Sequence, residues 1–235
     1  MKITYIRHSG FLAELDGLYL LFDYIKGPLP ELSEDKDLLV FVSHRHEDHF
    51  SPAIWDLADC YPRIRYILSD DIWQNQVPDR HFCRTEFMDP GMTLTLEEGV
   101  GTRVTAFHST DEGVAFLAES GGHTLFHAGD LNNWHWKDES TPQEVAKAEG
   151  NFLKELDIIA KYTQAMDVVM FPVDPRLGTD FMRGAQQFID RIKTGVFVPM
   201  HFWERPAEVM AFAPYAESKG CRYVVLSVPG EGTDI

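Results

Sequence analysis

The chain has 235 residues, 44% of them hydrophobic and 12% aromatic, enough for one globular domain with a single core and too apolar for a disordered chain. Its 21 basic and 37 acidic residues give a net charge of −16, which argues against a broad phosphate-tracking surface and so against a dedicated nucleic-acid binder. No run approaches the roughly 20 apolar residues of a membrane helix. The first residues carry no signal-peptide core, and Cys60, Cys83 and Cys221 form neither a C-x-x-C pair nor an even-numbered framework. The expectation is a cytoplasmic protein with free thiols.

Residues 2–7, 11–15 and 18–23 read as short strands, the last two joined by the hairpin signal Asp16-Gly17, with Asp23 at the end of the third. Gly27-Pro28-Leu29-Pro30 breaks the chain before an acidic loop. Leu38-Leu39-Val40-Phe41-Val42-Ser43 then reads as a buried strand. It runs directly into His44-Arg45-His46-Glu47-Asp48-His49, three imidazoles and two carboxylates in six residues. His44 and His46, two apart, point the same way in an extended segment. Asp48 and His49 follow where the chain must turn, because Ser51-Pro52 is a helix-start signal. One loop thus offers N,N ligands on one side and O,N ligands on the other, the beginning of two adjacent metal sites. A merely solvated loop would favour Lys, Glu, Ser and Gly over clustered histidines.

Downstream, a short helix is predicted from Pro52 to about Ala58, a strand over 63–69, and a succession of strands over 85–120 with turns at Asp89-Pro90-Gly91 and Glu98-Gly99. Gly121-Gly122 turns the chain into strand 123–128. Thr141-Pro142-Gln143-Glu144 combines an N-cap, a first-turn proline and a capping-box glutamate, opening a helix to about Tyr162. A strand over 167–171, a helix over about 179–193, a strand over 196–200, a last helix interrupted near Pro214 and a strand over 222–228 complete the pattern. His127 is expected to pack within its strand, and His81 and His123 to lie at the surface. These residues by themselves indicate a single α/β or α+β domain over 1–235.

The spacing His-x-His-x-Asp-His after a strand resembles the metallo-β-lactamase superfamily. Further pieces follow in that family's order: His108 closing the strand Val104-Thr105-Ala106-Phe107, Ala128-Gly129-Asp130 after Thr124-Leu125-Phe126, and Pro199-Met200-His201 after Val196-Phe197-Val198. The stretch Tyr5-Ile6-Arg7-His8-Ser9-Gly10 and Pro-Met-His are most similar to the branch containing L-ascorbate-6-phosphate lactonase, although Arg7 stands where that branch has glycine. The resemblance implies a four-layer αββα sandwich. It also implies two divalent metal ions, zinc first, with manganese or iron as alternatives. His44, His46 and His108 would hold one ion and Asp48, His49 and His201 the other, with Asp130 bridging.

Two such ions lower the pKa of bound water by several units from about 15.7, so the expected activity is hydrolysis of a small ester, lactone or phosphoester. Asp48 would orient the attacking water as well as bind metal. Ser43 and Asp23 are candidates to fix imidazole tautomers. Leu131-Asn132-Asn133-Trp134-His135-Trp136, just past Asp130, suggests Asn132 and Trp134 as pocket residues and His135 as a proton donor, against the plainer reading that the indoles cover the core. Arg176 is a candidate anchor for an anionic substrate, and His8 a residue at the rim. The expected partner is a small molecule, with no nucleic acid and no membrane, and a homo-oligomer is compatible with the sequence. The rivals are an iron-dependent oxidoreductase of the same fold and a metal-binding module without turnover. The di-iron flavoprotein branch resembles His-x-Glu-x-Asp-His, and His46 occupies that glutamate's place.

Overall fold

Two seven-stranded sheets face one another, and the chain builds them one after the other before its last strand returns to the first. The computed structural model of the protein describes residues 1–235, the side chains of residues 99 and 100 excepted. The first sheet comprises β1 (Lys2–Arg7), β2 (Gly10–Leu15), β3 (Leu18–Phe22), β4 (Asp37–Val42), β5 (Ile64–Ser69), β6 (Thr85–Met88) and, at the edge beside β1, the C-terminal β14 (Gly232–Asp234). The second comprises β7 (Thr93–Leu96), β8 (Thr102–His108), β9 (Val114–Ser120), β10 (His123–His127), β11 (Ala165–Pro172), β12 (Lys193–Met200) and β13 (Arg222–Tyr223). Each begins with antiparallel hairpins and continues with parallel strands: β3 to β6 in one, β10 to β13 in the other.

Strand alternation divides the interior. In β4, Leu39 and Phe41 enter the core shared with the second sheet, while Leu38, Val40 and Val42 face a separate apolar layer behind the first sheet. That second layer is covered by Ile54 and Trp55 of a 3-10 segment, Pro52–Asp59. The second sheet is backed by α2 (Pro142–Tyr162), α3 (Arg183–Arg191) and α5 (Ala213–Ser218), which follow the single turns α1 (Glu98–Gly101) and, before α5, α4 (Pro206–Val209). Phe152, Leu156 and Ile159 of α2 and Phe188 and Ile189 of α3 lie in the main core. This is the expected α/β sandwich, with one outer layer of α-helices and one in which 3-10 turns stand where the sequence suggested a helix.

Several boundaries differ from the periodicity. α2 carries the reciprocal Thr141–Glu144 capping box that its sequence announces. α3 is shorter than the expected 179–193, and β12 already starts at Lys193 because Ala165 and Met166 of β11 pair with Lys193 and Thr194. The strand expected over 222–228 is only Arg222–Tyr223, since just those two residues meet β12. His81 is buried rather than at the surface, stacked on Trp55 with ring centroids 5.7 Å apart. No helix among the described residues is long and apolar enough to cross a membrane.

β1, β3 and β4 run in one direction in their sheet, and β8, β10, β11 and β12 share one in theirs. The loops after these seven strands carry His8, Asp23, residues 43–49, residues 109–113, Asp130, residues 173–176 and His201. Carboxyl ends of strands are where open α/β sheets place their ligands.

Candidate metal centre

The loop after β4 folds back on itself, with the backbone N–H of His49 and of Phe50 both donating to the His46 carbonyl at 2.9 and 2.8 Å. Two glycines let the opposite sheet close onto it. Gly113 (φ +67°) and Gly129 (φ +51°) sit in the left-handed region, and a β-carbon at 113 would land on the Ser43 carbonyl oxygen, one at 129 within 2.8 Å of Ser43 Cβ. The Val114 N–H donates to that same carbonyl at 2.9 Å, tying the 109–113 hairpin to the histidine loop.

The Asp130 carboxylate stands at the centre. Its Oδ2 is 3.4 Å from His44 Nε2, while its Oδ1 is 3.2 Å from His49 Nε2 and 3.4 Å from His201 Nε2. His44 Nε2 is also 3.1 Å from His46 Nδ1. Asp48 Oδ2 lies 4.0 Å from His49 Nε2 and 3.3 Å from His8 Nε2. Ligand-type atoms of His46, Asp111 and Asp130 lie within 4.8 Å of one another, as do those of His8, Asp48, His49 and His201, and those of His44, His49 and Asp130.

Buried partners hold the rings. Asp23 Oδ2 meets His49 Nδ1 at 2.6 Å and accepts from the Ser43 hydroxyl at 2.7 Å, and Ser43 Oγ lies 3.0 Å from His44 Nδ1. Asp174 Oδ2 meets His201 Nδ1 at 2.9 Å. A carboxylate fixes Nδ1 of His49 and of His201, and the Ser43 hydroxyl that of His44, so each Nε2 turns into the cluster. His8 (φ 52°), Asp23 (φ 42°) and His201 (φ 62°) have left-handed backbones, a strain of order 1–3 kcal/mol each that the packing sustains.

Charge is poised for ligation. Burial, then the neighbouring His49, lowers the His44 pKa to about 4, so that ring is neutral. Burial works against charge on His49, but Asp130 and Asp23 outweigh it and lift its pKa well above the ordinary value. Burial would raise Asp130 as well, yet His49 and His201 hold it well below the carboxylate range. Asp48 is lowered likewise, the adjacent His8 imidazole and the charge of His49 overcoming burial. Asp111 is raised, by burial and then by Asp130.

Not every expected residue converges. His108 remains in the ladder, paired with Val114, and lines a different cleft of about 490 Å³ with Phe107, Glu155 and Tyr162. The acid that this hairpin brings to the cluster is Asp111, three residues on, which reads in sequence as an ordinary turn aspartate beside Glu112 and Gly113. His135 is buried, with Nε2 3.2 Å from the Asp180 carbonyl and Nδ1 accepting from the Lys137 N–H at 3.0 Å, so no ring nitrogen is left to donate a proton. Asn132 is buried against Gly184 of α3, its backbone exchanging hydrogen bonds with the Thr110 hydroxyl, outside the cleft over the cluster. Arg176 does reach that cleft, but Nε and Nη2 of its guanidinium are clamped on Asp174 and its Cζ lies 4.4 Å from the Trp203 ring centroid, which leaves it a poor free anion anchor. Asp174 and Trp203 carried no signal of their own, being single residues just past strand ends.

A family model described as a β-lactamase superfamily domain matches residues 2–146. The chain belongs to the metallo-β-lactamase superfamily. It is similar to a UPF0173 metal-dependent hydrolase of Pyrobaculum neutrophilum, 26% identical over 220 residues that span 86% of this chain and 84% of the relative. Among solved structures it is similar to Igni18, a metallo hydrolase of Ignicoccus hospitalis, with a TM-score of 0.67 at 21% identity, covering 100% of this chain and 98% of that one. CmlA, a diiron β-hydroxylase of Streptomyces venezuelae, shares the fold at the same TM-score and 15% identity, with 54% of its length covered.

The metals that this superfamily implies fit the residues present. His49 Nε2, Asp130 Oδ1 and His201 Nε2 are buried and satisfy no hydrogen bond, although the two nitrogens lie 3.2 and 3.4 Å from that oxygen. Unpaired buried polar atoms are costly, and a shared cation is what such a set of nitrogens and carboxylate oxygens satisfies. With no thiolate among them, the donors suit zinc, manganese or iron. Above the cluster this metallo-β-lactamase fold opens a cleft of about 360 Å³, walled by Trp134, Trp136 and Trp203. Trp134 donates its indole N–H to the Asp130 carbonyl at 2.7 Å, and Trp136 stacks on it at 6.4 Å.

Proposed function

We propose that this protein is a cytoplasmic, metal-dependent hydrolase that cleaves a small ester, lactone or phosphoester with two divalent cations. Its partner is a small molecule rather than nucleic acid or a membrane. The observation that carries the reading is the Asp130 carboxylate, which turns one oxygen to His44 and the other to His49 and His201. His44, His46 and Asp111 would hold one ion, Asp48, His49 and His201 the other, and Asp130 both. When bound, such ions supply Lewis acidity toward a carbonyl or phosphoryl oxygen and acidify water.

The chain's own residues do the rest. Thr110, the hydroxyl residue lining the cleft, is engaged both ways, donating to the Asn132 carbonyl at 2.6 Å and accepting from the Asn132 N–H at 2.9 Å. It is therefore no nucleophile, and water is the attacking group. Asp48, ionised and half-buried at the cleft, accepts a hydrogen bond from that water and orients it. Trp134, Trp136 and Trp203 exclude bulk water and offer flat apolar walls, which favours substrates carrying an aromatic or otherwise planar group. Trp136 (φ 40°) and Trp203 (φ 53°) are held in the left-handed region, a strain that clusters where function requires a fixed side chain.

The test is a panel of lactones, aryl esters, phosphodiesters and thioesters offered to protein loaded with zinc, manganese or iron. Hydrolysis of one class, abolished in Asp48→Asn at metal concentrations that fill both sites, is the expected result. Trp136→Ala or Trp203→Ala should raise KM for aryl substrates about 5- to 30-fold, the ~1–2 kcal/mol of a stacked ring. Turnover that survives exhaustive chelation, or dioxygen consumption in place of hydrolysis, would overturn the proposal.

A further inference from the structure

His8 belongs to neither set of ligands above, yet its side chain is only 7% exposed and its Nε2 satisfies no hydrogen bond. That nitrogen lies 3.3 Å from Asp48 Oδ2, and its ring centroid is 4.4 Å from that of His201 and 5.6 Å from that of His49. The backbone is bent to put it there. A register shift between Tyr5 and Arg7 interrupts the β1–β2 ladder, His8 takes φ 52°, and its N–H donates to the buried Tyr5 hydroxyl at 2.8 Å. Trp203 closes over the outer side, 4.6 Å from the imidazole. Three buried imidazoles, each with an unsatisfied Nε2, thus meet one carboxylate with ligand atoms within 4.8 Å of one another.

We propose that His8 is itself a metal ligand and closes the second cation site. This rests on the metal-dependent reading given above. His8, Asp48, His49 and His201, with Asp130 Oδ1, then surround that ion with protein donors, the mark of a tightly held site. The other set, His44, His46 and Asp111 with Asp130, has one protein donor fewer and leaves more room for substrate at that ion. The competing view is that His8 only donates a hydrogen bond to Asp48 and positions it.

The variant His8→Gln separates the two, because a glutamine amide can still donate to Asp48 but replaces the imidazole with a weak ligand. Calorimetric titration with cobalt(II), metal content by mass spectrometry and the visible absorption of the cobalt protein are the readouts, with circular dichroism to verify the fold. The wild type should take up two ions of unequal affinity. In His8→Gln the tighter site should weaken about 100-fold or more, at or beyond the upper end of what loss of an outer partner costs, and the cobalt spectrum should change. X-ray absorption of the wild-type cobalt protein needs no variant and should require five imidazoles, those of His8, His44, His46, His49 and His201, shared between two ions. A His8→Gln protein that binds both ions as the wild type does, with the same spectrum, overturns the His8 assignment alone. A wild type that binds no divalent cation overturns the assignment and the proposed function together.

Discussion

Asp23 and His49 form the most deeply buried polar pair at the metal centre, with Oδ2 and Nδ1 2.6 Å apart and both side chains at most 1% exposed. The same carboxylate accepts from the Ser43 N–H at 2.8 Å, so one aspartate at the end of β3 fixes both the start of the histidine loop and its last imidazole. Asp23→Asn removes the charge while keeping the shape. It is expected to lower divalent-metal affinity by about 10- to 100-fold, read by calorimetric titration, with the near-ultraviolet circular dichroism of the wild type retained.

Asp111 and His108 make opposite predictions. Asp111→Ala should reduce bound metal and cut hydrolysis on the order of 100-fold, because its carboxylate lies within ligand range of His46 and Asp130. His108→Ala should leave metal stoichiometry unchanged and activity within a few-fold, since that ring lines the cleft beside α2. Metal analysis of the two purified variants decides it. Metal loss in His108→Ala with none in Asp111→Ala would restore the ligand set expected from the family resemblance.

Gly113→Ala tests the closure of the two sheets. The new methyl would meet the Ser43 carbonyl and lie 2.5 Å from His44 Cβ, at a backbone φ of +67°. Backbone sits on one side and a fixed loop on the other, so the clash cannot relax cheaply. A loss of about 3 kcal/mol or more in urea unfolding is expected. Gly121→Ala, where nothing stands within 4 Å, carries only the cost of its positive φ and should lose about 1–2 kcal/mol.

Asp174 sets a pH dependence in chelator-treated protein. Burial opposes its ionisation, but the hydrogen bonds from His201 and Arg176 depress its pKa from 3.8 to about 2. A depressed carboxylate pKa contributes stability above the unfolded value and loses it as pH falls through the folded one. That contribution is on the order of 2 kcal/mol and should disappear between about pH 4 and pH 2. Thermal melts across that window should show a steeper fall for the wild type than for Asp174→Asn. Parallel curves would remove the His201–Asp174–Arg176 linkage from the account.

Strand and helix positions were legible because they depend on near neighbours along the chain. The alternation in β4, the Asp16-Gly17 hairpin and the Thr141–Glu144 box specify local geometry that the packed structure keeps. The family and the histidine loop were equally plain, since six consecutive residues hold most of the chemistry. The 3-10 winding of Pro52–Asp59 and the shortened β13 departed from periodicity because the covering layer and the partner strands, not propensity, set them.

The sequence by itself determined a single α/β or α+β domain in which imidazoles and carboxylates recur at strand ends, and thus a metal-binding chemistry; the two-sheet sandwich came with the family resemblance. Only the tertiary structure decided which of those groups face each other. It brought Asp111 rather than His108 beside His46 and Asp130, turned His135 into the backbone, clamped Arg176 on Asp174 and brought His8 to Asp48. The reason is geometric: a strand end specifies a side chain's direction to within a residue or two. Convergence across two sheets depends on loop lengths and on close approaches such as that of Gly113 to Ser43, which no local pattern encodes.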